Sequence, residues 1–229
     1  MRIIKFLLKY FRLIIFNEYR ENQLSKYISE EIKNLHSNSK EIQILDFGSG
    51  MNPIVIQKIC ESIRLKYKNI KLKVDCFDFY SSEQVSNLNK KFSDFNFYHL
   101  KDFDSSKKKY DFAIILDVLH HVGIDKNRKE VLQIFSNLSK TSKYVIVKDH
   151  FYSSKLSKYL LIAMDFVGNY YNNVSIPSTY FTEGLYDEIL KIKKLKEIKR
   201  LKNKYYYKRY WLFFANPSLH FISIFTNKN

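Results

Sequence analysis

The sequence comprises 229 residues, 45% of them hydrophobic, which suits one large domain whose core requires neither disulfides nor metals. Its two cysteines, Cys60 and Cys76, show neither metal-ligand spacing nor a disulfide framework, so a reducing compartment, the cytoplasm, is the simpler expectation. Lys and Arg number 39 against 23 Asp and Glu, a net charge of +16 that attracts polyanions, although the same richness in Lys, Asn, Ile, Tyr and Phe follows from AT-rich coding DNA.

Residues Met1 to Phe16 set Arg2, Lys5, Lys9 and Arg12 at three- and four-residue spacing, gathering four cations on one helical face with Ile, Leu and Phe elsewhere. The run is too interrupted to span a membrane and lacks a signal-peptide cleavage site. Two readings remain open: a helix in the interface of an anionic membrane, or a helix packed on the domain. A second, more polar helix over Glu18–Leu35 is expected to cover one sheet edge, so residues 1–38 form an N-terminal helical segment. From Glu41 onward, short apolar runs alternate with helical stretches, the pattern of a parallel sheet with crossover helices. Strands are expected at Ile42–Phe47, Ile70–Phe77, Phe95–Leu100, Phe112–Leu116 and Tyr144–Val147, and helices at Ile54–Lys66, Ser82–Phe92 and Lys126–Leu138. Residues 151–182 break that rhythm and read as an inserted cap beside a pocket. A basic helix over Leu185–Leu195 and a β-rich run over Leu219–Phe225 complete a domain spanning residues 39–229.

The sharpest local signal is Leu45-Asp46-Phe47-Gly48-Ser49-Gly50-Met51-Asn52-Pro53, an apolar strand entering a glycine turn and then a helix. Glycine permits positive φ and close backbone approach by a ligand; Asn52 suits a helix N-cap and Pro53 the first helical position. A dinucleotide-binding turn requires a third glycine where Pro53 stands, which excludes that reading. The strand-end acid followed by Gly-x-Gly resembles motif I of the class I SAM-dependent methyltransferases, with Asp46, Gly48, Ser49 and Gly50 in the matching places and Asn52 where a further glycine is usual. The resemblance implies S-adenosyl-L-methionine (SAM) as cofactor. At the next strand end Asp78 can accept the ribose hydroxyls of a nucleoside lying across the strand tips, whereas Asp75 falls inside the strand and reads as an edge charge. By resemblance Asp102, with Asp104 as competitor, meets the adenine amino group.

The segment from Asp111 to Val122 resembles the fourth-strand signature of small-molecule methyltransferases, Asp117-Val118-Leu119-His120-His121 included. It adds Asp117 to the cofactor set, with His121 as the histidine facing the pocket. A zinc site at His120 and His121 lacks convergent partners, so no metal is expected. His150 ends the fifth strand, where a neutral imidazole can take a proton from an acceptor hydroxyl, or can simply cap the strand. Lys148-Asp149-His150 followed by Met164-Asp165-Phe166-Val167-Gly168-Asn169 resembles a bacterial methyltransferase subset, and Asp149, Asp165 and Asn169 are the expected acceptor contacts. The resemblance covers Glu41 to Phe225. It implies a Rossmann-like α/β fold, a seven-stranded, mostly parallel sheet with helices on both faces and its last strand antiparallel.

The expected activity is methyl transfer to a hydroxyl of a small, lipid-linked or glycan-derived acceptor. The enzyme would be cytoplasmic, with residues 1–16 able to place it peripherally on the inner face of the membrane. The chain lacks the Asp/Asn-Pro-Pro-aromatic run of base amino-methyltransferases, so nucleic acid is the less favoured partner. A non-catalytic SAM-fold membrane-peripheral protein and an RNA-directed methyltransferase or RNA-binding module are the competing readings. Salt-dependent RNA affinity separates the last of these.

Overall fold

The computed structural model describes residues 18–36, 40–122, 128–169, 176–177, 179–202 and 216–227. The interfacial-helix expectation for residues 1–16 lies outside them. The elements run α1 (Glu18–Leu35), β1 (Glu41–Phe47), α2 (Ile54–Lys66), β2 (Lys71–Asp78), α3 (Ser82–Lys91), β3 (Phe95–His99), β4 (Tyr110–Leu116), α4 (Leu119–Val122), α5 (Arg128–Thr141), β5 (Ser142–His150), α6 (Lys155–Asn169), α7 (Glu183–Ile192), β6 (Leu195–Lys202) and β7 (His220–Asn227). The strands form one sheet in the order β3-β2-β1-β4-β5-β7-β6. β7 alone runs against the others, antiparallel to both β5 and β6. This is the expected seven-stranded sheet with its last strand reversed.

Each central strand is apolar on both sides because both faces of the sheet are covered. Along β4, Phe112 and Ile114 enter one core with Ile44 of β1, α1 and α2, while Ala113 and Ile115 enter the other with Leu45, α5 and α7. Order reverses at β1, which pairs with β2 on one side and β4 on the other. The strand tips there form the crevice in which open α/β sheets hold ligands.

Several boundaries differ from the sequence reading. Helix α1 lies on a face of the sheet, its Leu24, Ile28 and Ile32 buried with Ile56, Ile59 and Ile63 of α2, and meets the edge strand β6 through Lys199 and Glu31 at 2.6 Å. The expected basic helix stops at Ile192. Lys194 then turns at φ +52°, and Leu195 begins strand β6, a charged edge strand with no apolar run to mark it. Strand β5 extends from Ser142 to His150, longer than Tyr144–Val147, because Lys148, Asp149 and His150 are paired with Ile222, Phe221 and His220 of β7. Asp75 is not an edge charge. β2 is flanked by β1 and β3, and the carboxylate is 2% exposed, accepting from Tyr110 Oη at 2.7 Å, Asn96 Nδ2 at 3.0 Å and Lys108 Nζ. After β5 the chain departs at Phe151, runs through α6 and returns at Phe181, which bridges back to Phe151.

Candidate functional site

The glycine turn after β1 has the backbone that its sequence requires. Gly48 sits at φ +80° and Gly50 at φ +65°. A Cβ on Gly48 would lie 2.3 Å from Cγ2 of Val118, so only glycine lets the turn close against the end of β4. At Gly50 a Cβ would meet nothing within 4 Å, which leaves open space beside the backbone. Asn52 supplies no side-chain cap and has no left-handed backbone; Pro53 takes the N-cap position, and Ile54 N–H donates to the Asn52 carbonyl at 2.9 Å.

The acid expected at the end of β2 adjoins this turn. Asp78 Oδ2 accepts from Gly50 N–H at 2.7 Å and Oδ1 from Phe79 N–H at 2.6 Å. Tyr80 Oη donates to the Gly50 carbonyl at 2.6 Å and accepts from Ser49 Oγ at 2.6 Å, tying the turn to β2. Met51, 51% exposed, and Phe79, 79% exposed, leave an apolar rim around the carboxylate. A carboxylate has about four acceptor sites and backbone N–H groups use two, so two remain for a pair of hydroxyls. Open space at Gly50, free acceptor capacity at Asp78 and an apolar rim fit a nucleoside.

Asp46, 5% exposed at the tip of β1, has its pKa pushed up to about 7 by burial and by the neighbouring Asp78. An unfolded chain releases this proton near 3.8 and the folded chain near 7, so folded-state stability falls as pH rises between them. Asp46→Asn is expected to raise the melting temperature of the ligand-free protein by several degrees at about pH 8, and by little at about pH 3, below the unfolded value of 3.8, where the carboxyl is mostly protonated in both states. Thermal unfolding at the two pH values measures this; an equal shift at both would refute the buried-charge account.

A second group of side chains stands at the tips of β4 and β5. Asp117, one residue past β4, is held at φ +55°, a strained conformation for a residue with a Cβ. Its carboxylate pairs with Lys148 Nζ and with Arg20 of α1. Burial alone would raise its pKa, but Lys148, Arg20 and His150 hold it well below the ordinary value. Lys148, only 1% exposed, has its pKa lowered by burial. His150 Nε2 lies 3.4 Å from Lys148 Nζ, and its Nδ1 lies 3.4 Å from Asp149 Oδ1 and 3.7 Å from Asp117 Oδ1. Burial first and Lys148 second lower the His150 pKa, so the imidazole is neutral at neutral pH.

Next to it, His120 Nδ1 meets Asp149 Oδ1 at 2.7 Å and its Nε2 meets Asp165 Oδ2 at 3.3 Å. Tyr180 Oη donates to the same Asp165 oxygen at 2.6 Å. His121, His120, His150 and His220 follow one another with ring centroids 4.1, 5.0 and 4.6 Å apart. Among the described residues, two trios, His120/Asp149/His150 and His120/His121/Asp165, bring donor atoms within 4.8 Å of one another, close enough to surround a metal ion. Both ring nitrogens of His120 are already committed to carboxylates, the arrangement of an imidazolium.

The structure thus brings Asp46, Gly48, Ser49, Gly50 and Asp78 together at one group of strand tips, and Asp117, Asp149, His150 and Asp165 at the neighbouring one. Val118, against Gly48, joins the two. Asp102 is exposed in a single 3-10 turn directly after β3, whose His99 pairs with Asp78, while Asp104 accepts from the Ser106 backbone N–H at 2.9 Å within its own turn. Asn169 ends α6. Of the paired histidines, His120 is the buried one with both nitrogens engaged, and His121 is half-buried against it. The sequence reading missed the site positions of Arg20, Lys148, Tyr180 and His220, and took His121 and not His120 as the inward histidine of the pair. Lys148 carried a signal, a cation closing the otherwise apolar run Val145-Ile146-Val147.

The model of a methyltransferase-domain family matches residues 16–216. No curated protein matches the sequence. Among solved structures, the chain is similar to a SAM-dependent methyltransferase of Methanosarcina mazei at TM-score 0.56 and 16% identity, over 86% of this chain and 96% of that one. It is similar to the plantazolicin methyltransferase BpumL in complex with SAH at TM-score 0.55 and 15% identity, over 91% and 84%. LepI in complex with SAM aligns at TM-score 0.56 and 13% identity over 87% of this chain, but the chain spans only 46% of LepI. With a match over most of its length and the sheet order described above, the chain belongs to the methyltransferase-domain family and has its class I, Rossmann-like fold.

Proposed function

We propose that this chain transfers the methyl group of SAM to a hydroxyl of a small, lipid-linked or glycan-derived acceptor, with His150 as the base. The observation that carries the reading is His150 itself: a neutral, buried imidazole at the carboxyl edge of the sheet, two strands from the glycine turn after β1 and three from Asp78 on β2. Asp78 and the Gly48–Gly50 turn would hold the nucleoside, and Asp46, ionised, would meet the positive end of the cofactor. Bound SAM supplies a methyl group on a sulfonium, already activated toward a nucleophile. The chain's own tasks are then alignment and removal of one proton from the acceptor. Asp149 beside Nδ1 favours the tautomer that leaves the lone pair on Nε2, which here faces the Lys148 ammonium at 3.4 Å; for Nε2 to take the proton, Lys148 would turn from it to the acceptor oxygen, where its charge favours developing negative charge.

A base must be unprotonated in the free enzyme. Its lowered pKa therefore predicts a kcat/KM that rises with pH through a midpoint below the ordinary 6.5 of histidine and is flat across neutral pH. A rising limb centred above 7 would contradict the assignment. The defining experiment is incubation of methyl-labelled SAM with cell extract and identification of the labelled fraction. Label in an ether of a lipid, glycan or small molecule supports the reading; label in RNA, or steeply salt-dependent RNA affinity, replaces it.

We further propose that residues 1–16 attach the enzyme to the inner face of an anionic membrane, the four cations meeting headgroups and the apolar side the acyl boundary. Among the described residues no helix is long and apolar enough to cross a membrane. Deleting residues 1–16 is expected to abolish flotation with vesicles containing phosphatidylglycerol; flotation that persists would assign attachment to another surface.

A further inference from the structure

We infer that His120 is the positioning residue of this site, a buried cation that fastens helix α6 and the returning strand segment to the sheet and fixes the ring of His150 through Asp149. The inference rests on the reading of His150 as the base, and the geometry adds what that reading leaves open. His120 is 1% exposed, with a carboxylate at each ring nitrogen: Asp149 of β5 at 2.7 Å and Asp165 of α6 at 3.3 Å. A neutral imidazole would turn a lone pair toward one of these carboxylates, whereas an imidazolium donates to both. Burial opposes the charge, yet the two carboxylates outweigh it and push the pKa up to about 10. His120 therefore keeps both protons throughout the physiological range and serves neither as base nor as acid.

Its partners show what it positions. Asp165 also accepts from Tyr180 Oη at 2.6 Å, and Tyr180 immediately precedes Phe181, which bridges back to Phe151. Both limbs of the segment inserted after β5 thus converge on one imidazolium. On the sheet side, Asp149 Oδ2 accepts from His120 N–H at 3.3 Å, while Oδ1 accepts from His150 N–H at 2.7 Å and faces His150 Nδ1. His120 and His150 share one carboxylate.

The test is His120→Gln, examined in the full chain. The groups facing His150 are Lys148 and Asp149 of β5, Asp117 past β4, His120 of α4, Tyr180 of the returning segment and His220 of β7. Removing the His120 cation deletes one repulsion and leaves Asp149 to His150, and both changes favour protonated His150. The acid limb of kcat/KM should move up by roughly one pH unit, and the His150 ring titration followed by NMR should move with it. The value of kcat should fall about 10- to 100-fold while SAM affinity is unchanged. A lowered kcat with neither limb nor NMR titration displaced would mean a merely structural role and would overturn the inference. Should His120→Gln fail to fold, Asp165→Asn cuts the other end of the clamp; faster proteolytic cleavage within residues 151–182 is expected, and wild-type resistance would overturn it. Stoichiometric Zn2+ binding by the wild-type chain that Asp165→Asn abolishes would also overturn it, since a metal would take the place of the proton the clamp requires. Full turnover in His150→Gln instead removes the base reading, leaving the fastening of α6 to be judged by proteolysis alone.

Discussion

Asp78→Ala is expected to weaken SAM binding by about 100-fold or more, because charge-assisted hydrogen bonds are worth roughly 1.5–3 kcal/mol each and two ribose hydroxyls would lose theirs. The carboxylate already accepts from Gly50 N–H and Phe79 N–H, so the substitution also frees the glycine turn. Asp78→Asn separates the two effects. Its amide oxygen can keep Phe79 N–H, but its NH2 cannot accept from Gly50 N–H or from a hydroxyl. Calorimetric titration with SAM or SAH, beside a melting curve for each variant, distinguishes lost ligand contacts from a loosened turn. Unchanged affinity in a folded Asp78→Ala protein would show that the nucleoside does not lie on this carboxylate.

That contact was legible in the sequence because two local signals happened to be neighbours in space. Gly48-Ser49-Gly50 and Asp78 each end a strand, and parallel pairing of β1 with β2 sets Phe47 opposite Phe77, which carries Gly50 and Asp78 to the same level. Chain order and strand ends were sufficient. The second group was half legible for the same reason: Asp117, Asp149 and His150 are strand-end residues of β4 and β5, whereas their partners arrive from elements whose direction no pattern announces. Arg20 comes from a helix ninety-seven residues before Asp117, and His220 from the antiparallel strand paired with β5. His120 and His121 are adjacent, and no periodicity extends over the single turn of α4 to tell which ring is turned inward. Strand β6 was missed because an edge strand exposes its charges and shows no apolar alternation. Asp75 was misjudged because an acid satisfied by Tyr110, Asn96 and Lys108 resembles, in one dimension, an acid at the surface.

The cluster's charges balance, which explains how so many ionisable groups persist in a buried place. Among the described residues, Asp117, Asp149 and Asp165 face Arg20, Lys148 and the His120 imidazolium, three anions against three cations, with His150 and His220 held neutral by burial. A buried pair that loses one partner costs roughly 3–5 kcal/mol, so each member is held by the others. Removal of His150, like that of His220, leaves that balance intact, and since His150 is the proposed base it is the cleanest place to test chemistry.

His150→Gln is accordingly expected to fold and to bind SAM as the wild type does, while methyl transfer slows by about 100- to 10,000-fold, the usual worth of a positioned general base. Glutamine keeps a polar side chain of similar reach beside Lys148 and Asp149 but cannot take up a proton at neutral pH. The loss should fall on kcat and kcat/KM together, since proton removal belongs to the transition state and not to acceptor binding. The residual rate should also lose the rising acid limb, because the group that titrates is gone. An acceptor whose hydroxyl is already acidic should depend less on the residue than an ordinary alcohol, so a panel of acceptors of decreasing acidity should show a growing deficit. Turnover undiminished toward the least acidic acceptor would leave His150 as a strand-end packing residue and return the search for a base to its neighbour Lys148.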